Sequence, residues 1–177
     1  MSRLEQIVEP LLAWYEKNAR DLPWRHGVTP YRVWISEIML QQTRVEAVKG
    51  YFERFMQALP DVESLSSVEE KRLLKLWEGL GYYSRARNLK RAAALIMERY
   101  GGALPRSCDE LLKLPGIGPY TAGAIASIAY GLAEPAVDGN VLRVLTRLED
   151  DHSDIADAAV KRAVEKKLRA VIPQGRA

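Results

Sequence analysis

The chain has 177 residues, a formal net charge of +3 at pH 7 and a sequence pI near 9.0. It can hold one domain or two small lobes, and its mild basicity is compatible with nucleic acid without proving it. Its single cysteine, Cys108, excludes an intrachain disulfide framework and a multi-thiolate metal site. No apolar run approaches the roughly 20 residues of a membrane span, and the N-terminus lacks a signal-peptide pattern.

The first segment predicts an amphipathic helix. Ser2 and Glu5 have the spacing of a capping box, and an apolar stripe with helical period continues to Tyr15. Pro10 is a local defect within this helix. A loop over residues 21–27 follows it.

The next helix, predicted over residues 31–42, carries an acidic residue on an apolar face. Apolar side chains are among the neighbours of Glu37 at three and four positions. A carboxylate on such a face is either buried and paired or functional. Glu37 is therefore a candidate catalytic residue.

Helix signals continue through the middle of the chain. Thr43, Ser67 and Ser107 each precede a glutamate by three residues, which predicts three further capping boxes. The basic run over residues 84–91 fits an ordinary solvated face, and beside a glycine-rich aromatic turn it also fits nucleic-acid binding. Its helix should end at residues 101–102, a glycine pair.

A glycine-rich turn over residues 114–122 predicts a hairpin between two helices. Gly116 and Gly118 allow another molecule to approach the main chain, and the free N–H groups of the following helix favour an anion such as a phosphate. Asp138 precedes another helix, where an aspartate alone indicates only an N-cap. A basic helix is predicted over residues 157–172. No segment predicts a strand, so we expect an all-α fold.

Two carboxylates in different environments suit the cleavage of a glycosidic bond. The drier Glu37 should have a raised pKa and remain protonated as a general acid. The wetter Asp138 should stay ionised and stabilise a cationic sugar. Together with a phosphate-binding hairpin, this pair indicates a protein that holds nucleic acid and acts on it.

Four motifs carry a resemblance to a known family. Leu-Pro-Gly-Ile-Gly-Pro-Tyr-Thr-Ala at 114–122, followed by Val-Asp-Gly-Asn-Val-Leu-Arg at 137–143, resembles the helix-hairpin-helix DNA glycosylases related to endonuclease III. Leu-Pro-Trp-Arg at 22–25 precedes Trp-Ile-Ser-Glu-Ile-Met-Leu-Gln-Gln-Thr at 34–43. These stretches, with Trp-Glu-Gly-Leu-Gly-Tyr-Tyr-Ser-Arg-Ala-Arg-Asn at 77–88, resemble the MutY-type adenine glycosylase branch.

The resemblance implies a two-lobed all-α fold with a cleft between the lobes. We expect a six-helix lobe with the hairpin over residues 28–132, and a second lobe from residues 1–27 and 133–177. The implied activity is excision of adenine mispaired with 8-oxoguanine or guanine, after the base is flipped out of the duplex. The expected partner is double-stranded DNA with an A:8-oxoguanine or A:G mispair. We expect a monomer without membrane contact, in a bacterial cytoplasm and associated with the nucleoid.

The resemblance also implies roles for individual residues. Glu37 matches the acid that protonates adenine at N7, and Asp138 matches the carboxylate that stabilises or captures the oxocarbenium ion; Tyr120 and Asn140 match residues lining that site. The expected substrate contacts are Arg20, Leu22 and Trp24 for the adenine pocket, Gln42 and Tyr82 for the wedge in the base stack, and Thr43 and Leu80 for the oxidised guanine side. The expected DNA-backbone contacts are Gly116, Gly118, Tyr120 and Thr121, and the main-chain oxygens expected to hold a cation are those of Leu112, Leu114 and Ile117.

Tyr120 bears on the type of reaction. The bifunctional endonuclease III branch has a lysine at this place, which attacks the sugar carbon and leads to strand cleavage. A phenol cannot form that Schiff base. We therefore expect base removal without efficient lyase activity.

The chain departs from the family in its cysteines. Relatives carry four cysteines for a 4Fe–4S cluster soon after the point where this chain stops, and a C-terminal domain that helps to recognise 8-oxoguanine. Cys108 alone cannot hold such a cluster, so we expect no cofactor within this chain. We expect a truncated part of a longer protein, with a naturally cluster-free member as the lesser alternative.

Three alternatives remain open. A non-catalytic helix-hairpin-helix DNA-binding fragment would not need Glu37 on an apolar face. A bifunctional glycosylase/lyase of the endonuclease III type is argued against by Tyr120. An inert fragment would require the missing part of the chain to fold.

Overall fold

The computed structural model describes residues 2–176, and none of these residues is in a strand. This confirms the all-α prediction. None of the described helices is both long and apolar enough to cross a membrane. The α-helices are α1 Arg3–Asn18, α2 Pro30–Leu40, α3 Val45–Ala58, α4 Val62–Ser67, α5 Glu70–Trp77, α6 Ser84–Tyr100, α7 Cys108–Leu111, α8 Pro119–Ala124, α9 Gly139–Glu149 and α10 Ala158–Val171. A 3₁₀ turn spans Pro23–Arg25, and a π-helical turn, Ile125–Ala129, continues α8.

Helix α1 begins as predicted. The Ser2 hydroxyl accepts a hydrogen bond from the Glu5 amide at 3.2 Å, and the Glu5 carboxylate accepts one from the Ser2 amide at 2.6 Å. This reciprocal pair satisfies two amides that have no partner within the helix. Pro10 lies inside the helix, as the sequence indicated.

The other three predicted capping boxes are wrong. The Thr43 hydroxyl donates to the Gln41 carbonyl at 3.3 Å, and α3 begins after Arg44 without a side-chain cap. Ser67 is the last residue of α4, a helix that the sequence analysis missed, and its hydroxyl bonds back within that helix. Ser107 occupies the N-cap position of α7 but accepts no hydrogen bond there. In the first two cases a competing local hydrogen bond replaces the cap.

The larger hydrophobic core surrounds α2. Trp34 and Ile35 are fully buried, and α2 packs against α3, α8 and the π-helical turn. Edge-to-face contacts join Trp24 to Phe52 at 5.7 Å between ring centroids, and Phe55 to Trp77 at 6.0 Å. This core holds the helix that carries Glu37 rigidly against its neighbours.

A smaller core joins α1, α9 and α10. Its buried members are Leu4, Val137, Leu142, Leu145 and Val164. The described residues thus form two hydrophobic clusters, one from the middle of the chain and one from both ends. The lobe boundaries proposed from the sequence remain a prediction, and Leu22 and Trp24, assigned there to the second lobe, pack in the larger core.

Candidate active site around Glu37

Helix α2 places Glu37 at the edge of a cavity of about 590 Å³. Its neighbours Ser36 and Ile38 are buried, whereas Glu37 is partly exposed. Burial raises the pKa of Glu37 above its ordinary range; a hydrogen bond from the Tyr120 hydroxyl lowers it, and the negative charge of Asp138 raises it further. Because burial is the largest effect, the net direction is upward and favours a protonated carboxyl.

The same cavity contains the three residues predicted to form the base pocket. Leu22 and Trp24 are buried at 3% and 8% exposure, and Arg20 lines the rim. The Arg25 guanidinium donates to the Arg20 carbonyl at 2.8 Å and lies over the Tyr15 ring. These contacts hold the loop after α1 over the cavity, so residues distant in sequence share one wall with Glu37.

Tyr120 belongs to the first turn of α8. Burial raises the pKa of this phenol, and the negative charge of Glu37 and their shared hydrogen bond raise it further. The hydroxyl therefore remains neutral and acts as a donor to Glu37.

Asp138 is the N-cap of α9 and also lies near Glu37. Its Oδ1 accepts from the amides of Asn140 and Val141 at 3.0 and 2.9 Å, and its Oδ2 accepts from the Asn140 side-chain amide at 3.0 Å. Asn140 in turn accepts from Arg143 at 3.0 Å. The N-terminal end of α9 favours a negative charge. Asp138 can serve both as an N-cap and as a reactive carboxylate, because the capping hydrogen bonds fix the carboxylate while the residue stays partly exposed.

Gly123 explains how Asp138 comes close to the hairpin. The chain segment before Asp138 crosses α8 so tightly that a Cβ on Gly123 would lie 2.2 Å from the Pro135 carbonyl oxygen. Only glycine fits this crossing. The role of Gly123 was not predicted from the sequence, where its only signal is that small residues dominate positions 122–127.

The turn connects α7 and α8 as predicted, although Gly118, with a φ of −97°, has a backbone conformation that any residue can adopt. Gly116 has a φ of +80°, and a Cβ there would lie 2.9 Å from the Asn88 Cβ. Gly118 is the N-cap of α8 and is exposed, with open space around it. Thr121 is 2% exposed, so only its main chain could reach a phosphate. Its role as a backbone contact remains a prediction.

The proposed cation ligands lie in the same turn. Leu112 is exposed, whereas the side chains of Leu114 and Ile117 are buried. The Leu114 carbonyl already accepts the Ile117 amide at 3.2 Å. The cation site therefore remains a prediction.

Gln42 and Tyr82 are brought together at one surface cavity of about 420 Å³. Both have left-handed backbones, with φ of 56° and 48°, and Tyr82 is 60% exposed. Thr43 lies beside them and is half-buried. Leu80 is only 6% exposed and packs in the core, so its side chain is not at this surface.

The basic run over residues 84–91 is not a uniform solvated face. Arg85 is buried at 8% exposure. Arg87 pairs with Glu70 at 2.9 Å, and Arg91 donates to the Asn88 side chain. A run of positive charge in sequence therefore contains at least one structural arginine.

The residues present do not fit an iron–sulfur cluster. Among residues 2–176, no group of three or more histidine, cysteine, aspartate or glutamate side chains could hold a metal ion. Burial raises the pKa of the Cys108 thiol to about 11, which disfavours the thiolate that binds metal.

Comparison with known proteins gives a consistent result. A family model described as HhH-GPD superfamily base excision DNA repair protein matches residues 35–170. Adenine DNA glycosylase from Rattus norvegicus is 48% identical over 147 residues, covering 78% of this chain and 28% of that protein. The Homo sapiens protein of the same name is 46% identical over 159 residues, covering 85% and 29%. The one from Buchnera aphidicola subsp. Acyrthosiphon pisum is 44% identical over 163 residues, covering 92% and 45%. The chain thus spans less than half the length of these curated relatives.

Solved structures share the fold over almost the whole chain. A thermostable thymine-DNA glycosylase superposes with a TM-score of 0.86 at 28% identity, covering 98% of this chain and 80% of the other. A trapped endonuclease III–DNA covalent intermediate superposes with a TM-score of 0.80 at 26% identity, covering 99% and 80%.

Proposed function

The chain belongs to the HhH-GPD superfamily of base excision DNA repair proteins, and from that premise we propose that it removes adenine opposite 8-oxoguanine or guanine in double-stranded DNA. One observation carries the proposal. Glu37, whose pKa is raised by burial, borders the cavity that Leu22 and Trp24 also line. The relatives named adenine DNA glycosylase support the choice of base.

The first chemical step is proton donation. Adenine flipped out of the duplex would enter the cavity, with Leu22 and Trp24 against its faces and edges and Arg20 at the rim. The protonated Glu37 gives its proton to N7 of the base. The C1′–N9 bond then breaks with its electron pair leaving on the base, which departs as neutral adenine.

The second step is stabilisation of the sugar. Loss of adenine leaves an oxocarbenium ion at C1′, and the carboxylate of Asp138 is the negative group that faces it. The three hydrogen bonds to Asp138 hold that carboxylate in place before the reaction begins. Water then adds to C1′ and gives its proton to the Glu37 carboxylate, which yields an abasic site and restores the protonated Glu37, while Asp138 stays ionised throughout.

Strand cleavage is not expected to follow. A lyase step needs an amine that condenses with C1′ and loses water to form a Schiff base. Tyr120 presents a phenol beside Glu37 in its place. No step of this mechanism passes through an iron–sulfur cluster, since the residues present cannot hold one.

Single-turnover excision tests this proposal. Duplexes with A opposite 8-oxoguanine, A opposite G, A opposite T and T opposite G are incubated with excess protein, and abasic sites are revealed by alkaline cleavage. We expect the first two to be cut only after alkali. Glu37→Gln and Asp138→Asn should each lower the excision rate by a factor on the order of 10²–10⁴ while leaving duplex binding intact.

Other outcomes would support the competing functions. Excision of T opposite G alone would favour a thymine-specific enzyme, the activity for which one structural neighbour is named. Cleavage before alkali, with a borohydride-trapped covalent complex, would indicate lyase chemistry. Duplex binding by a folded protein without any excision would indicate a non-catalytic DNA-binding fragment.

A further inference from the structure

The side chain of Arg85, at the start of α6, caps the C-terminal end of α2. Its Nη1 donates to the carbonyls of Ile38, Met39 and Gln41 at 2.8, 3.2 and 2.6 Å. The last carbonyls of a helix have no partner within it. A side chain from another helix therefore acts as the C-terminal cap of the helix that carries Glu37.

The same guanidinium also holds a second turn. Its Nη2 donates to the carbonyls of Leu80 and Gly81 at 3.0 and 3.3 Å. The Gly81 carbonyl also accepts from the indole of Trp77 at 3.0 Å. The guanidinium lies 5.5 Å from the Trp77 ring centroid and 5.4 Å from that of Tyr82. One planar cation thus bridges two main-chain turns that are about forty residues apart.

Both turns contain a residue with a left-handed backbone. Gln42 has a φ of 56° and Tyr82 has a φ of 48°. Residues other than glycine, asparagine and aspartate rarely adopt this backbone conformation. Such conformations persist only where the surrounding structure enforces them. The bonds from Arg85 to the carbonyls of Gln41 and Gly81, each directly before one of these residues, provide that enforcement.

We propose that Arg85 is a positioning residue that locks these two turns together, so that Gln42 and Tyr82 project side by side toward the duplex. This inference rests on the proposed function, because it gives the two side chains a shared task during base flipping. Arg85 itself is buried and does not reach DNA. A lysine could not replace it fully, since one ammonium cannot serve both sets of carbonyls with the geometry of a guanidinium fork.

Substitution of Arg85 tests the proposal with two independent measurements. Arg85→Met keeps the length of the side chain and removes its donors, and Arg85→Lys keeps the charge. Ile96→Ala is the matched control, because Ile96 is fully buried on the same helix about three turns away. All variants are compared at a temperature at which circular dichroism shows them folded.

The first measurement is amide hydrogen exchange of the free protein, resolved by peptide. Arg85→Met should raise exchange in segments 40–43 and 79–83 above the level in Ile96→Ala, and Arg85→Lys should fall between Arg85→Met and wild type. This readout needs no DNA and no activity. It decides the positioning role even if the proposed function is wrong.

The second measurement is single-turnover excision at saturating protein. Arg85→Met should lower the rate constant about 10²-fold, as expected for a displacement near 1 Å, with a smaller loss in Arg85→Lys and none in Ile96→Ala. Unchanged exchange in both segments would overturn the proposal. So would an excision loss in Arg85→Met no larger than in the control. If wild type shows no excision, the proposed function fails and the exchange result alone decides the role of Arg85.

Discussion

Gly123→Ala should disable the site without touching a catalytic group. The new methyl carbon would lie 2.2 Å from the Pro135 carbonyl oxygen and 2.9 Å from the Pro135 carbonyl carbon. A carbon and an oxygen in close contact lie no nearer than about 3.3 Å. The segment leading to Asp138 must therefore move away from α8 by about 1 Å. Backbone atoms cannot rotate out of the way as the end of a long side chain can.

This displacement has two expected consequences. Asp138 follows Pro135 by three residues, so its carboxylate shifts relative to Glu37, and a misplacement near 1 Å costs about 10²-fold in rate. Overpacking costs about 1–3 kcal/mol of the free energy of unfolding, offset by roughly 0.5–1 kcal/mol from replacing a helical glycine. The measurements are single-turnover excision and urea unfolding.

Gly50→Ala is the matched control. Gly50 also lies inside a helix, but only the flexible tip of Arg54 approaches its missing Cβ, at 3.3 Å. We expect the control to be about 0.5–1 kcal/mol more stable than wild type, with an unchanged excision rate. Wild-type excision and stability in Gly123→Ala would refute the reasoning, because the crossing segment would then have room to move without displacing Asp138.

Three further predictions follow from the described contacts. Glu37→Gln should lower the excision rate by a factor on the order of 10²–10⁴. It should also increase the free energy of unfolding at pH 7, because the Glu37 carboxyl must take up a proton when the chain folds and buries it, whereas the amide needs none; a destabilised variant in urea would contradict this. The folded-state pKa of Glu37 is raised above the unfolded-state value. The contribution of this carboxyl to the free energy of unfolding is therefore fully present below the unfolded-state pKa and is lost as pH rises through the folded-state pKa. The stability gain of Glu37→Gln should therefore grow between the unfolded-state pKa and the folded-state pKa of Glu37. Wild-type excision should decline as pH rises through the folded-state pKa, and a pH-independent rate would count against Glu37 as the acid. Tyr31→Phe should cost about 0.5–1.5 kcal/mol in urea unfolding, because its buried hydroxyl donates to the Leu59 carbonyl at 2.9 Å; no change would mean that water replaces this bond.

The amino-acid sequence by itself determined most of the local structure. Helix period, the Ser2 cap and the glycines of the hairpin turn act over a few residues, so the predicted helices at 31–42 and 157–172 agree with α2 and α10 within two residues. Glu37 was recognisable because a carboxylate among apolar neighbours is costly unless it is paired or used. The missed helix α4 also had a local signal, since Asp61 caps it by accepting from the Ser64 amide at 2.8 Å.

The tertiary structure alone decided how the pieces of the site meet. Arg85 was indistinguishable in sequence from its basic neighbours, yet it bonds to carbonyls up to 47 residues away. Gly123 was one small residue in a run of several, and its importance comes from the Pro135 carbonyl that crosses it. The grouping of Leu22 and Trp24 with Glu37 around one cavity likewise depends on packing between segments. The local sequence pattern indicates which conformation each segment prefers. Burial, close approach and shared hydrogen bonds arise only between segments. These contacts between segments bring Asp138, Tyr120 and Glu37 together.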